Sequence, residues 1–129
     1  MQIPKLDYSK LDGLITAVIQ DWKTMRVLMV GFMNEEAFTE TLSTGKAVFY
    51  SRSRNKLWLK GESSGHFLLI KEIRTDCDSD TLLISAEAVG PGVCHEGYES
   101  CFFKQLNESQ EFVTVNVKTY DTAAIYGGK

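Results

Sequence analysis

Long apolar runs, abundant proline, paired cysteines and an excess of positive charge are all missing from this chain. Its densest apolar stretch, Val27–Met33, is seven residues long and includes Gly31, far short of the ~20 that span a bilayer. The N-terminal MQIPKLDYSK has no apolar core, which argues against a signal peptide. Two prolines and 10 glycines are too few for a fibrous or low-complexity chain. With 14 Lys and Arg against 17 Asp and Glu, the formal charge is −3, the wrong sign for affinity drawn from duplex phosphates. Three cysteines cannot all pair within one chain, and nothing points to an oxidising compartment, so free thiols or metal ligation are the live options. What is present is ordinary globular material, 43% apolar and 24% charged over 129 residues. That is enough for one domain burying roughly 70% of its unfolded surface. The expectation is a soluble, cytoplasmic protein of a single domain, 1–129, with neither membrane nor nucleic acid as partner.

The pattern predicts α+β structure. Leu14–Asp21 and Val27–Phe32 are β-branched and apolar around a short polar turn, the signature of a hairpin. Asn34 is a good N-cap, Glu35 and Glu36 sit in a first turn, and Gly45 suits a C-cap, so one helix of about ten residues follows. Ala37, Phe38, Thr41 and Leu42 form its apolar stripe. Six later segments favour extended structure: Ala47–Ser51, Leu57–Lys60, Phe67–Thr75, Thr81–Ala88, Cys101–Gln105 and Phe112–Lys118. In the last, Val113, Val115 and Val117 alternate onto one face. A mostly antiparallel sheet with one helix packed on it is expected.

Asp76-Cys77-Asp78-Ser79-Asp80 places three carboxylates within five residues, which repel unless solvent or a cation compensates them. Two readings stand: a solvated acidic turn, or an oxygen-donor site for a hard cation such as Mg²⁺ or Ca²⁺. A straight strand separates alternate residues by about 7 Å, so chelation requires a bend. An EF-hand is excluded because Thr81 stands where the loop needs Gly and strand-like sequence follows.

Cys94-His95-Glu96-Gly97-Tyr98-Glu99-Ser100-Cys101 follows a Gly-Pro-Gly loop. With Cys77 it offers three soft thiolates, which select zinc, and three protein ligands leave a fourth position open as in catalytic sites. Inert buried thiols are the alternative. A third region, residues 51–66, concentrates Arg52, Arg54, Lys56 and Lys60 near Ser63, Ser64 and His66. In an acidic chain this suits a small anion such as one or two phosphates, or else a solvated basic strand.

Taken in order and spacing, these pieces resemble the phosphoribosyl-AMP cyclohydrolase family of histidine biosynthesis. The carriers are Asp12-Gly13-Leu14-Ile15, Ser51-Arg52-Ser53-Arg54, Leu57-Trp58, Lys60-Gly61-Glu62 and Ser64-Gly65. Asp76-Cys77-Asp78 with Asp80, Cys94-His95 and Ser100-Cys101-Phe102 complete the set. The resemblance implies a compact roll of mostly antiparallel strands forming an intertwined homodimer, with a family core at about 11–104 and an extension, 105–129, holding one strand. It implies zinc on Cys77, Cys94 and Cys101, one ion per subunit and shared across the dimer, and Mg²⁺ on Asp76, Asp78 and Asp80. His95 would move protons, with His66 in reserve. Arg52, Arg54, Lys60, Ser63, Ser64 and His66 would bind the substrate, phosphoribosyl-AMP. Glu96 departs from the family, whose members often carry Thr there. The extension is too short for the pyrophosphohydrolase domain fused to some members, which implies the monofunctional form. The competing class is a non-catalytic zinc module for binding other macromolecules, with His95 as a fourth, closing ligand.

Overall fold

The computed structural model describes residues 2–123. Strands β1 (Ile15–Asp21) and β2 (Val27–Met33) form the expected hairpin, antiparallel from Ile15↔Met33 onward with a register shift between Ile19 and Gln20. Its turn is closed by Asp21, whose carboxylate accepts from the backbone N–H of Lys23 at 2.8 Å and of Thr24 at 2.9 Å. Helix α1 (Glu35–Thr44) starts where Asn34 Oδ1 accepts from Ala37 N and stops at Gly45, whose φ of 74° only glycine adopts cheaply. Its buried face carries Ala37, Phe38 and Thr41. The Thr41 hydroxyl donates to Ala37 O at 2.9 Å and accepts from Val48 N at 3.0 Å, which ties the helix to the next strand.

That strand, β3 (Val48–Ser51), pairs antiparallel with β4 (Lys56–Leu59). The long strands β5 (Leu68–Thr75) and β6 (Thr81–Ala88) return to the main sheet, whose order is β2-β1-β6-β5. Here β1 and β6 run parallel, while the other pairings are antiparallel. Ile15, Ala17 and Ile19 of β1 alternate inward beside Leu82, Ile84 and Ala86 of β6, and all six are buried. Phe49 of β3 packs against the same sheet over Gly31, where a Cβ would stand 2.6 Å from its ring. The glycine in the middle of β2 is therefore the space that the aromatic ring occupies. The architecture is α+β, one helix on mostly antiparallel strands.

Two expected strands are shorter than composition suggested. Instead of Cys101–Gln105 the structure has β7 (Lys104–Leu106), and instead of Phe112–Lys118 it has β8 (Phe112–Thr114), its antiparallel partner. The first is delayed because Cys101 N donates to Leu28 O at 2.7 Å and Ser100 Oγ to Val27 O at 2.7 Å, docking this stretch on the edge of β2. The second ends as Val115 N turns to Phe103 O. Val113, Val115 and Val117 were expected to share a strand face, but only Val113 lies within β8 and all three are exposed, so they meet no core among the described residues. Among the described residues no helix is long and apolar enough to cross a membrane.

Candidate active site

The turn between β5 and β6 supplies the bend that the aspartates need. Asp76 Oδ1 accepts from the N–H groups of Asp80 at 3.1 Å and Thr81 at 3.2 Å, and Ser79 takes a φ of 61°. The result draws one oxygen from each of Asp76, Asp78 and Asp80 within 4.8 Å of the others. Three convergent, largely exposed carboxylates fit a hard cation. Lys10 also reaches the cluster, with Nζ 2.6 Å from Asp78 and 3.0 Å from Asp80. These hydrogen bonds push the Lys10 ammonium upward, and Lys10, then Asp76, hold the Asp78 carboxyl below its usual range. Asp7 N donates to Ser79 O at 2.7 Å, fastening the N-terminal segment to the turn. The local sequence carries no signal for Lys10, which lies 68 residues from its partner.

The second cluster lies in the loop after β6. Cys94 N donates to Tyr98 O at 3.0 Å and Val93 N to Glu99 O at 3.0 Å, so the chain doubles back through Gly97, whose φ is 101°. Docking of Ser100 and Cys101 on β2 then sets the Cys101 thiol close enough to Cys94 for the two to influence each other. Cys94 is buried, while Cys101 keeps an exposed side. Partial burial, then the neighbouring Cys94, push the Cys101 thiol up to about 11; the Lys60 ammonium opposes this and Glu96 adds to it. Cys77 sits exposed at the β5–β6 turn. Among the described residues of one chain it does not converge with the other two thiols; the aspartates form the one group of three.

Between His95 of the second loop, the 60–64 segment and the β3–β4 hairpin lies a cleft of about 460 Å³. Ser51, Arg54, Lys60, Ser63, Ser64 and His95 all line it, with Trp58 on the wall. Five sequence-predicted residues thus share one space, His95 exposed on its edge. Arg52 points elsewhere. Strand β3 ends at Ser51, so residues 52–55 form a turn through Asn55 (φ 54°), and the Arg52 guanidinium lies 4.3 Å above the Phe32 ring. Lys60 is buried, with Nζ donating to Val93 O at 2.7 Å; burial pushes its ammonium down, against the pull of Cys101 and Cys94. Ser64 Oγ accepts from His66 N at 3.1 Å. His66 is buried away from the cleft lining, its Nδ1 3.0 Å from Gly92 O and its ring edge-on to Tyr120.

The chain as a whole has known relatives. The family model described as phosphoribosyl-AMP cyclohydrolase matches residues 29–103. A phosphoribosyl-AMP cyclohydrolase of Solibacter usitatus is 64% identical over 96% of this chain and 98% of its own. The one from Desulforapulum autotrophicum is 46% identical over 95% of this chain and 98% of its own. The chain belongs to the phosphoribosyl-AMP cyclohydrolase family. A bifunctional histidine-biosynthesis protein of Bacteroides thetaiotaomicron is 50% identical over 84% of this chain and 53% of its own length. The cyclohydrolase match contains the Ser51–Arg54 hairpin, the aspartate turn, both clustered thiols and His95. Lys10 and Tyr120 fall outside it. The Solibacter alignment spans 124 of the 129 residues and so takes in most of 105–129.

Proposed function

We propose that this cyclohydrolase opens the adenine ring of phosphoribosyl-AMP by hydrolysis between ring nitrogen one and ring carbon six, in the cytoplasm, as a step of histidine biosynthesis. The observation that carries the reading is the convergence of His95, Arg54, Lys60, Ser63 and Ser64 on one cleft, whose Lys60 wall adjoins the Cys94–Cys101 pair. A ribosyl group on ring nitrogen one makes the adjacent carbon electrophilic. Arg54, with the Ser63 and Ser64 hydroxyls, binds substrate phosphate at the open end of the cleft. Lys60 adds positive charge, although its amine is already committed to Val93 O. Arg52 and His66 face other surroundings, so their share in substrate binding is indirect. His95 takes a proton from the attacking water and returns it to the leaving nitrogen, work for which a neutral imidazole is suited near pH 7.

The donor sets fit two metals. Cys94 and Cys101 are neighbouring soft donors, and Cys77 of a second copy in a homodimer would complete a set of three thiolates suited to zinc. Zinc held there would supply Lewis acidity and make hydroxide available near neutral pH. Asp76, Asp78 and Asp80 suit Mg²⁺. The dimer reading is supported by the exposed apolar residues Phe102, Leu106, Phe112, Val113 and Val115, an unusual concentration for a surface. A non-catalytic zinc module would need His95 as fourth ligand, yet His95 lines the cleft together with Arg54, Lys60, Ser63 and Ser64.

Ring opening can be followed by ultraviolet absorbance during metal removal and return. A strong chelator is expected to abolish turnover, and zinc to restore it when magnesium is also supplied. Full activity in protein shown by metal analysis to be free of zinc would remove zinc from the mechanism.

A further inference from the structure

Gly92, Val93 and Cys94 are consecutive, and the carbonyl of each meets a side chain from a different part of the chain. His66 Nδ1 lies 3.0 Å from Gly92 O, Lys60 Nζ donates to Val93 O at 2.7 Å, and the Tyr120 hydroxyl donates to Cys94 O at 2.6 Å. A carbonyl only accepts, so His66 carries its proton on Nδ1 in this arrangement. Lys60 comes from the end of β4, His66 from the loop before β5, and Tyr120 from the C-terminal segment. The two outer donors brace each other, their rings meeting edge to face with centroids 5.0 Å apart. The loop is shaped to receive them. A Cβ on Gly90 would stand 2.5 Å from the His66 ring, and one on Gly92 2.9 Å from Tyr120. Thr119 N adds a hydrogen bond to Gly97 O at 2.8 Å.

Loop carbonyls are ordinarily left to solvent. Three held in a row by side chains fix the peptide planes on both sides of Cys94. Those planes set the direction of the Cys94 thiol towards Cys101 and of His95 towards the cleft.

We infer that Tyr120, braced by His66, is a positioning residue for the reaction, aiming the Cys94 thiol and the His95 imidazole by its hold on the Cys94 carbonyl. The C-terminal segment that carries it is then a working part of the site. This rests on reading Cys94 as a zinc ligand and His95 as the base, so the test needs one arm that is independent of both.

Tyr120→Phe keeps the ring against His66 and removes the hydroxyl, leaving the Cys94 carbonyl its hydrogen bond from Gly97 N at 3.1 Å. Its thermal midpoint is expected within a few degrees of wild type, while kcat falls about five- to tenfold, the worth of one such hydrogen bond. KM should change by less than about twofold, since no substrate contact is lost. In metal-free protein, iodoacetamide should label Cys94 about fivefold faster than in wild type, read by mass spectrometry against an added cysteine-containing peptide as internal standard. Wild-type kcat together with wild-type Cys94 labelling would overturn the inference, as would a rise in KM with kcat unchanged. Faster Cys94 labelling in a protein that never takes up zinc would leave the positioning intact and remove the zinc reading instead.

Discussion

Cys77→Ser protein and Cys101→Ser protein, each inactive alone, are expected to regain activity when unfolded together and refolded with zinc. Within one chain Cys94 and Cys101 are neighbours and Cys77 does not converge with them, so a zinc site of all three thiols would draw on two chains. In an isologous dimer each site combines Cys77 of one copy with Cys94 and Cys101 of the other. A mixed dimer then concentrates both lesions in one site and leaves its second site whole. Random pairing of equal amounts makes about half of the dimers mixed, so about a quarter of wild-type activity should return. The refolded sample is checked for mixed dimers by mass spectrometry, and wild-type protein taken through the same cycle sets the reference. Confirmed mixed dimers without activity would refute the shared site, because ligands drawn from a single chain cannot complement.

Replacement of His95 carries the second large effect. Its side chain lines the cleft beside Arg54 and the 61–64 loop and is exposed, so His95→Ala deletes the imidazole without opening a core cavity. Loss of a general acid–base group lowers kcat by about 10²- to 10⁴-fold. Zinc content should stay near that of wild type, since thiols and not His95 hold the metal in this reading, and the thermal midpoint should move little. Loss of zinc from His95→Ala would favour the closed, four-ligand site of a structural module. A kcat within about threefold of wild type would place the proton transfer on another group. His66 is poorly placed to be that group, being buried with its Nδ1 turned to Gly92 O.

These expectations began with residues that the sequence makes easy to read. Helix α1 was legible because its signals are local: Asn34 caps it, Gly45 ends it, and Ala37, Phe38 and Thr41 fall on one face. The aspartate turn was legible as a cluster, and the required bend follows from hydrogen bonds inside the same six residues. The parallel pairing of β1 with β6 had no local mark, since about sixty residues separate partners that meet only through the shared core. Phe112–Lys118 alternates like a buried strand, yet alternation specifies a face and not what covers it, and here the face is exposed.

The site divides in the same way. Residue types announced the thiols, the acidic turn and the basic hairpin. Which arginine enters the cleft was decided by where β3 stops, and that sent Arg54 inward and Arg52 onto Phe32. Lys60 and His66 were expected to meet substrate because of their charge and position; Lys60 does line the cleft, and in addition its Nζ donates to Val93 O while His66 Nδ1 lies by Gly92 O, contacts no motif announced. Lys10 and Tyr120 escaped notice because their partners are distant in sequence, a carboxylate pair in one case and a main-chain carbonyl in the other. A carbonyl is the same for every residue type, so no motif records that it needs a donor.

Hydrolytic ring opening is tested most directly by the product formed from phosphoribosyl-AMP. Purified protein loaded with zinc and magnesium, incubated with phosphoribosyl-AMP and analysed by mass spectrometry, should yield a product heavier than substrate by one water, with no ammonia released. In ¹⁸O-labelled water the label should enter as a new carbonyl oxygen on the former ring carbon six. Unchanged substrate, or a product that has exchanged its amino group for oxygen with release of ammonia, would contradict ring opening by this protein.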